Sequence, residues 1–360
     1  MLRPVLPRVT ILVLNWNSWR DTIECLESVF RIDTPGIRVV ICDNASTDGS
    51  PLKLRAWAAG QLESAPRSTD PRLRALTVPP VPKPIPIVEC AVEEVLTGGG
   101  AAHDGARLVL IHTGANRGFA GGCNVGIRYA LVRDDFDFLW ILNNDTVVDP
   151  HALSAMLTRM AAAPGAGICG STLLLYDTPD TVQTLGGATY DRVLGIVRHI
   201  GADRNREAPR PTEREVESAM RYVVGASMLV SKVFLRDVGL MSEEYFLYYE
   251  ELDWAVRARG RYTLCVALDS IVYHKEGGSI GTSSVPGRGS ITSDYYRTVN
   301  RIRFTRRHDP WLLPFALAAV FGALLNRLRR GQWRRAVMIA AILVGADSGP
   351  PRMEHEVANP

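Results

Sequence analysis

Seven apolar runs of strand length punctuate the chain: Arg8 to Trp16, Ile37 to Cys42, Leu108 to Ile111, Phe138 to Leu142, Ile168 to Tyr176, Tyr222 to Val230 and Thr263 to His274. Most are continuous instead of alternating, the pattern of strands covered on both faces. Between them the period changes. Trp19, Ile23, Leu26 and Phe30 recur at helical spacing behind a capping Asn17-Ser18, and Gly122 to Arg133 reads as a second helix. Leu153, Met156, Leu157 and Met160 form a stripe behind Asp149-Pro150, which reads as N-cap and first helical residue. Strand, helix, strand up to Cys42 predicts a parallel pair joined by a right-handed crossover. The fold class is therefore α/β, with a mixed, mostly parallel central sheet flanked by helices. One stretch departs from the pattern. From Gln61 to Arg107 the chain carries Pro at 79, 80, 82, 84 and 86 and then Gly98-Gly99-Gly100, which excludes a central strand and predicts an extended surface insertion over 60–107.

Composition narrows the class without changing it. Hydrophobic residues make up 46% and charged residues 22%, which describes a folded chain and not a disordered one. Six cysteines, at 25, 42, 90, 123, 169 and 265, show neither CxxC pairs nor a disulfide framework, so a reducing compartment is expected. No apolar signal region precedes Arg8, so no secretion is expected either. The net charge of +3 hides an asymmetry: nine arginines lie between Arg301 and Arg335 against one acid, Asp309. Such a tail suits an anionic surface.

The polar residues that end the apolar runs are the candidate chemistry. Asn143, Asn144 and Asp145 follow the strand at 138–142; oxygens at the first and third positions can share a hard cation, Mg²⁺ or Mn²⁺, or the triplet can be an Asx-rich turn. Asn15 and Asp43 end neighbouring strands, where a carboxylate can hold a ribose hydroxyl or base N–H, or simply cap a turn. The segment from Thr113 to Gly126 holds Asn116, Arg117, Gly118, Gly121 and Asn124; backbone amides at a helix start beside Arg117 can receive a diphosphate, although neither the P-loop nor the dinucleotide fingerprint is present. Gly225-Ala226-Ser227 leaves room for a bound group. Glu250, Glu251 and Asp253 crowd one helix start beside aromatic residues. They can stabilise that terminus, or raise one another's pKa as a general base requires. His274 ends the last strand, as a polar terminus or as part of a cation's ligand shell. Gly277 to Ser293 has the composition of a mobile lid.

Taken together, these motifs resemble the family 2 inverting glycosyltransferases, and among them the rhamnosyltransferase-like members that act in bacterial cell-surface polysaccharide assembly. The likeness runs from about Val9 to Arg307, apart from the insertion. It implies the GT-A nucleotide-diphospho-sugar transferase fold over residues 1–308. It also implies transfer of a sugar, rhamnose in that branch, from a nucleotide-diphospho-sugar to a hydroxyl of a glycan or lipid-linked acceptor. By position, Asn15 and Asp43 fall where the family contacts base and ribose, while Gly118, Gly121 and Asn124 fall in the loop beside the donor. Asn143-Asn144-Asp145 occupies the DXD motif that binds Mn²⁺ or Mg²⁺, Glu251 the position of the base, and His274 that of a metal ligand. Tyr295-Tyr296-Arg297 resembles the segment after the flexible loop. Asn143 stands in place of the first motif acid, Cys123 in place of a common asparagine, and Glu251 in place of an aspartate. The longer side chain leaves Glu250, Glu251 and Asp253 all open as the base, and leaves open a nucleotide-sugar-binding protein without turnover.

The tail completes the expectations. Trp311 to Leu325 and Ala336 to Ala346 are apolar runs shorter than the ~20 residues a spanning helix needs, and Pro314 interrupts the first. Residues 309–346 are thus expected to form an amphipathic hairpin on the inner face of the cell membrane, with 347–360 a flexible end. The arginines interleave with aliphatic residues and not with aromatic ones, so no nucleic-acid partner is expected.

Overall fold

The computed structural model describes residues 7–63, 66–97, 105–275, 290–346 and 349–350. Its first half alternates strands and helices: β1 (Val9–Asn15), α1 (Trp19–Val29), β2 (Arg38–Asp43), α2 (Ser50–Ala58), α3 (Pro71–Ala75), β3 (Ile87–Ala91), α4 (Val92–Leu96), β4 (Leu108–His112) and α5 (Gly118–Arg133). Then come β5 (Phe138–Asn143), β6 (Thr146–Val148), α6 (Ala152–Ala162), β7 (Ala166–Leu175), β8 (Val182–Leu185), β9 (Gly187–Asp191), β10 (Ile196–His199), α7 (Glu213–Ala219), β11 (Tyr222–Val223) and β12 (Ser227–Ser231). The chain closes with α8 (Lys232–Val238), α9 (Glu250–Ala258), β13 (Thr263–His274), α10 (Ile291–His308), α11 (Leu313–Arg329) and α12 (Trp333–Leu343).

The main sheet runs β3-β4-β2-β1-β5-β12-β7-β13-β6, with β8 paired to β7. From β3 to β5 every pairing is parallel; β12 and β6 enter antiparallel. This is the mixed, mostly parallel α/β sheet with a C-terminal helical region that the apolar runs predict. Because β2 lies on one side of β1 and β5 on the other, the strand order reverses at β1, and the carboxyl ends of these strands open onto the crevice where such sheets hold ligands. The unbroken runs are explained by burial on both faces: Ile11, Leu12, Val13, Val39, Val40 and Ile41 are all without exposed surface. Trp140 is buried among them with its indole N–H donating to Ser227 Oγ at 2.9 Å, so its large ring carries no unsatisfied donor.

Four expectations change. The 60–107 insertion is not merely a surface excursion: after the proline run, β3 joins the sheet as its edge strand, parallel to β4, a place where the prolines preceding it interrupt no ladder. Tyr222 to Val230 is two strands, because residues 224–226, with the small Gly225 and Ala226, carry the chain from a three-stranded sheet, β10-β9-β11, across to β12 in the main sheet. Two strands of the small sheet, β9 and β10, lie between the apolar runs that end at Tyr176 and begin at Tyr222. The helix at 118–133 starts four residues earlier than its periodicity suggests, since Phe119 donates its backbone N–H to Phe246 O at 2.8 Å and is held in helical conformation. Pro314 does not interrupt α11; it sits in the first turn, where its missing N–H removes no helical bond, and Pro310–Arg329 is long and apolar enough to cross a membrane by length and composition. The lid expected at 277–293 falls mostly outside the described residues; its last three residues begin α10.

Candidate active site

The site forms where β2, β1 and β5 end together. Asn15 stands opposite Asp43 in register, and Leu14 opposite Asn143. A chain of side-chain hydrogen bonds laces these ends. Asn144 Nδ2 donates to Thr22 Oγ1 (2.9 Å), Thr22 donates to Asn15 Oδ1 (2.7 Å), and Asn15 Nδ2 donates to Asp43 Oδ1 (2.7 Å) and to Ser46 Oγ (3.1 Å). Asn15 has no exposed surface and both its polar atoms are engaged, so it orients Asp43 instead of meeting a base itself. Thr22 is the unforeseen member of this network.

The glycine-rich segment is likewise pinned from within. Asn44 donates to Asn116 Oδ1 (2.9 Å) and to Gly118 O (3.1 Å) while its own oxygen accepts from Arg117 N (3.0 Å). Gly118 N donates to Asn116 Oδ1 (3.0 Å), and Phe119 N is already given to Phe246 O. The first two amides of α5 are therefore not free to receive a diphosphate, contrary to expectation; Arg117 is exposed there, its Nε on Thr113 O at 3.1 Å. Gly118 is required for another reason: at φ +69° a side chain is strained, and a Cβ would collide with Phe246 O. Gly121 lies against the Arg117 side chain. Asn124 is fully buried and turned away, bonding Met241 in both directions and Glu243 Oε1, so it holds the 241–243 loop and not a donor.

At the end of β5 the chain turns into β6, which pairs antiparallel with β13, so that Thr146 stands opposite His274. Asp145 is thereby placed beside the imidazole: His274 Nε2 lies 3.2 Å from Asp145 Oδ1 and 3.5 Å from Asn143 Nδ2. Oδ1 is buried and, although within ion-pair distance of His274, receives no hydrogen bond of good geometry. His274 Nδ1 lies 2.9 Å from Gln183 Oε1, an acceptor only; Nδ1 therefore donates, and in the neutral ring Nε2 turns its lone pair toward Asp145. A lone pair and a carboxylate facing each other require positive charge between them, a proton or a cation. Burial would raise the Asp145 pKa, but His274 and then Lys275 hold it below the usual range. Lys275 is anchored on α1 by Asp21 (2.7 Å) and Glu24 (2.6 Å), which fixes the end of β13. Among the described residues no group of three or more His, Cys, Asp and Glu side chains could hold a metal. The donor set is two groups, Asp145 and His274, with the Asn143 amide beside them. It fits a Mn²⁺ or Mg²⁺ that takes its remaining oxygens from a bound diphosphate.

The third cluster arrives from the other side of β5. Asn143 N donates to Ala226 O at 3.0 Å, so Gly225 lies two residues beyond Ser227, the end of the β5–β12 ladder. A Cβ on Gly225 would overlap Glu251 Oε1 and come within 3.3 Å of the Phe119 ring. Glu251, Phe119 and the end of β5 therefore meet at Gly225. Burial pushes Glu251 up to about 7, against the backbone N–H groups of Glu251 and Gly225 that favour its ionised form. Burial, and then the charge of Glu251, push Glu250 well above the carboxylate range. Asp253 is different. Two residues from Glu251 it faces the other side of α9, fully buried, accepting from Arg257 Nε and His308 Nε2, each at 2.7 Å. These partners hold its pKa down against burial, and it ties α9 to α10 instead of facing the cleft. The turn before α9 is strained: Tyr248 and Tyr249 both take positive φ, 66° and 76°. Buried Asn300 of α10 steadies it by donating to Leu247 O (2.8 Å) and Tyr248 O (3.1 Å). Nothing in the linear pattern singles out Gln183, Asn44 or Asn300; each is a lone amide whose partner is far away in the chain.

Part of the chain is similar to known proteins. Residues 99–209, from before β4 through the end of β5 to beyond β10, match the family Glycosyl transferase family 2. That segment holds Asn116, Arg117, the glycines and Asn143 to Asp145, and ends before Gly225, Glu251 and His274. The low-salt glycan biosynthesis hexosyltransferase Agl10 of Haloferax volcanii is 24% identical over 149 residues, 41% of this chain and 45% of that protein, so the chain spans under half of this curated relative. Among solved structures, the mannosyltransferase PcManGT of Pyrobaculum calidifontis, in complex with GDP-Man and Mn²⁺, is 17% identical with a TM-score of 0.48, covering 95% of this chain and 87% of that one. S. aureus TarS 1–349 in complex with UDP-GlcNAc is 12% identical with a TM-score of 0.47, covering 96% of this chain and 99% of that one.

Proposed function

We propose that the chain is a family 2 inverting glycosyltransferase that moves a sugar from a nucleotide-diphospho-sugar to a hydroxyl of a cell-surface glycan or lipid-linked acceptor. The observation that carries this reading is the meeting at Gly225: a carboxylate raised to about 7 beside the strand end that bears Asn143 to Asp145. A base that titrates near neutrality is matched to deprotonating an alcohol as it attacks. Glu251 is that base; Asp253 is not, because both its oxygens are held in ion pairs.

In this mechanism Asp43, oriented by Asn15 and Ser46, receives the nucleoside, and Arg117 meets the diphosphate from the loop side. Asp145 and His274, with Asn143 beside them, hold the divalent cation, which when bound offsets the negative charge that develops on the departing nucleoside diphosphate. Gln183 keeps the His274 lone pair turned toward that position. Glu251 takes the acceptor proton, the hydroxyl oxygen attacks the anomeric carbon from the face opposite the leaving group, and configuration inverts in one displacement. No general acid is needed, since the leaving group departs as an anion. Gly225 contributes by lacking a side chain where the carboxylate and the sugar must both fit.

The test is a donor panel of GDP-mannose, UDP-N-acetylglucosamine and dTDP-rhamnose, each scored with Mn²⁺ for thermal stabilisation and for slow hydrolysis. One donor that stabilises and turns over, both effects vanishing with chelator, supports the reading. Stabilisation without turnover in the presence of acceptor lipids and glycans supports a binding protein; response to none sinks both.

A further inference from the structure

The C-terminal helices carry apolar surface that the fold does not use. Trp311 and Trp333 are each 66% exposed. Phe315, Ala318, Gly322 and Leu325 continue one exposed stripe along α11, and Trp333, Val337 and Val344 another along α12. Between Pro310 and Ala346 there are five arginines and no acid. Two of them, Arg327 and Arg335, are bound by Asp294 of α10, while Arg329, Arg330 and Arg334 remain exposed at the turn between the helices. Aromatic residues, aliphatic stripes and unbalanced cations together complement one surface, an anionic bilayer: rings at headgroup level, stripes among the acyl chains, guanidinium groups on phosphates.

The orientation follows from how α11 is tethered. At its start Asp309 is buried and accepts from Arg192 of the β9–β10 turn, with Nε at 2.9 Å; near its end Arg327 pairs with Asp294 near the start of α10 at 2.9 Å. Both ends of a helix about 25 Å long are thus fixed to the same body, which a membrane-crossing helix cannot satisfy. The inner faces lead to the cleft. Met338 and Ile342 of α12 pack against the cluster of Leu247, Tyr295 and Tyr296, to which Phe119, Phe246 and Tyr248 also belong, and Phe119 borders Gly225 and Glu251.

We propose that α11 and α12 lie flat on an anionic bilayer through their exposed stripes and the Arg329-Arg330-Arg334 cluster, holding the cleft beside Phe119 at the headgroup layer. Membrane docking stands independently of the sugar-transfer reading. Its consequence, that the acceptor hydroxyl reaches Glu251 from a lipid-linked molecule in that bilayer, rests on that reading.

The test is co-sedimentation of the full chain with vesicles of phosphatidylcholine alone and of phosphatidylcholine with phosphatidylglycerol. Binding is expected to the anionic vesicles, and to be released by 1 M salt, where the screening length is ~3 Å. The triple variant Arg329→Gln/Arg330→Gln/Arg334→Gln is expected to bind about a hundredfold more weakly, roughly fivefold for each charge removed. Trp311→Glu/Phe315→Glu/Trp333→Glu is expected to abolish binding at any salt. Mn²⁺-dependent donor stabilisation, unchanged in both variants, shows that the fold and cleft are intact and separates failure of docking from failure of the transferase reading. Binding that resists both high salt and alkaline carbonate means the helix spans, and overturns the proposal. Absence of vesicle binding together with a dimer that the aromatic variants dissociate also overturns it, assigning the surface to a second copy.

Discussion

Two acidic clusters border the same crevice and titrate in opposite directions. At the end of β5, Asp145 is buried, yet His274 and Lys275 keep it ionised. At the start of α9, Glu250 is buried and Glu251 half-buried without a cation beside them, and desolvation drives both up, Glu251 to about 7. Burial is common to both regions; the neighbouring charge decides. A carboxylate that stays anionic suits a divalent cation, and one poised near neutrality suits proton transfer, so environments that push two acids apart also divide their tasks. Asp253 completes the lesson. It shares a helix turn with Glu251, but Arg257 and His308 make it a structural anion.

The largest expected effects come from exchanging these tasks. Glu251→Gln should lower kcat by about 10²–10⁴ and leave donor affinity intact. In the unaltered protein kcat/KM should rise with pH through about 7 and level off above it, because the base acts only when ionised. Asp145→Asn should lower kcat/KM by about 10²–10³ and remove the response to Mn²⁺. Next in size, Asp253→Asn should cost about 1–3 kcal/mol of stability by removing the buried anion that half-buried Arg257 and His308 pair with, read as a fall in Tm. The enzyme that remains folded should keep the same pH profile. Gln183→Leu should weaken Mn²⁺ binding about 10–100-fold with the apoprotein still folded, since only the orientation of His274 is lost. The smallest effect concerns stability. A carboxyl whose folded pKa is raised favours the native state at low pH and loses that contribution as pH rises from about 4.5 through the folded value near 7. Glu251→Gln should therefore stabilise the protein at pH 8 by on the order of 1–3 kcal/mol and leave it unchanged at pH 4, as thermal melts at the two values would show.

The strands were readable because they are buried on both faces, and the run from Thr263 to His274 matches β13 at both ends. Their polar endings mark Asn143, Asp145 and His274, which the pairing of β6 with β13 brings together. What could not be read is whatever depends on a partner distant in the chain. Asn15 and Asn124 look like ligand contacts in sequence, and only the fold reveals that Thr22, Asp43, Met241 and Glu243 occupy their polar atoms. The choice among Glu250, Glu251 and Asp253 likewise turns on Gly225 and His308, which lie 25 or more residues away. Pro314 misled in the other direction, since its effect depends on whether it opens a helix or falls inside one.

The division of labour is tested most directly by titrating Mn²⁺ and GDP or UDP into Glu251→Gln and Asp145→Asn proteins and following the heat of binding. Glu251→Gln is expected to bind the metal–nucleotide pair as the unaltered protein does, and Asp145→Asn is expected not to. Metal-dependent binding retained in Asp145→Asn and lost in Glu251→Gln would contradict that division.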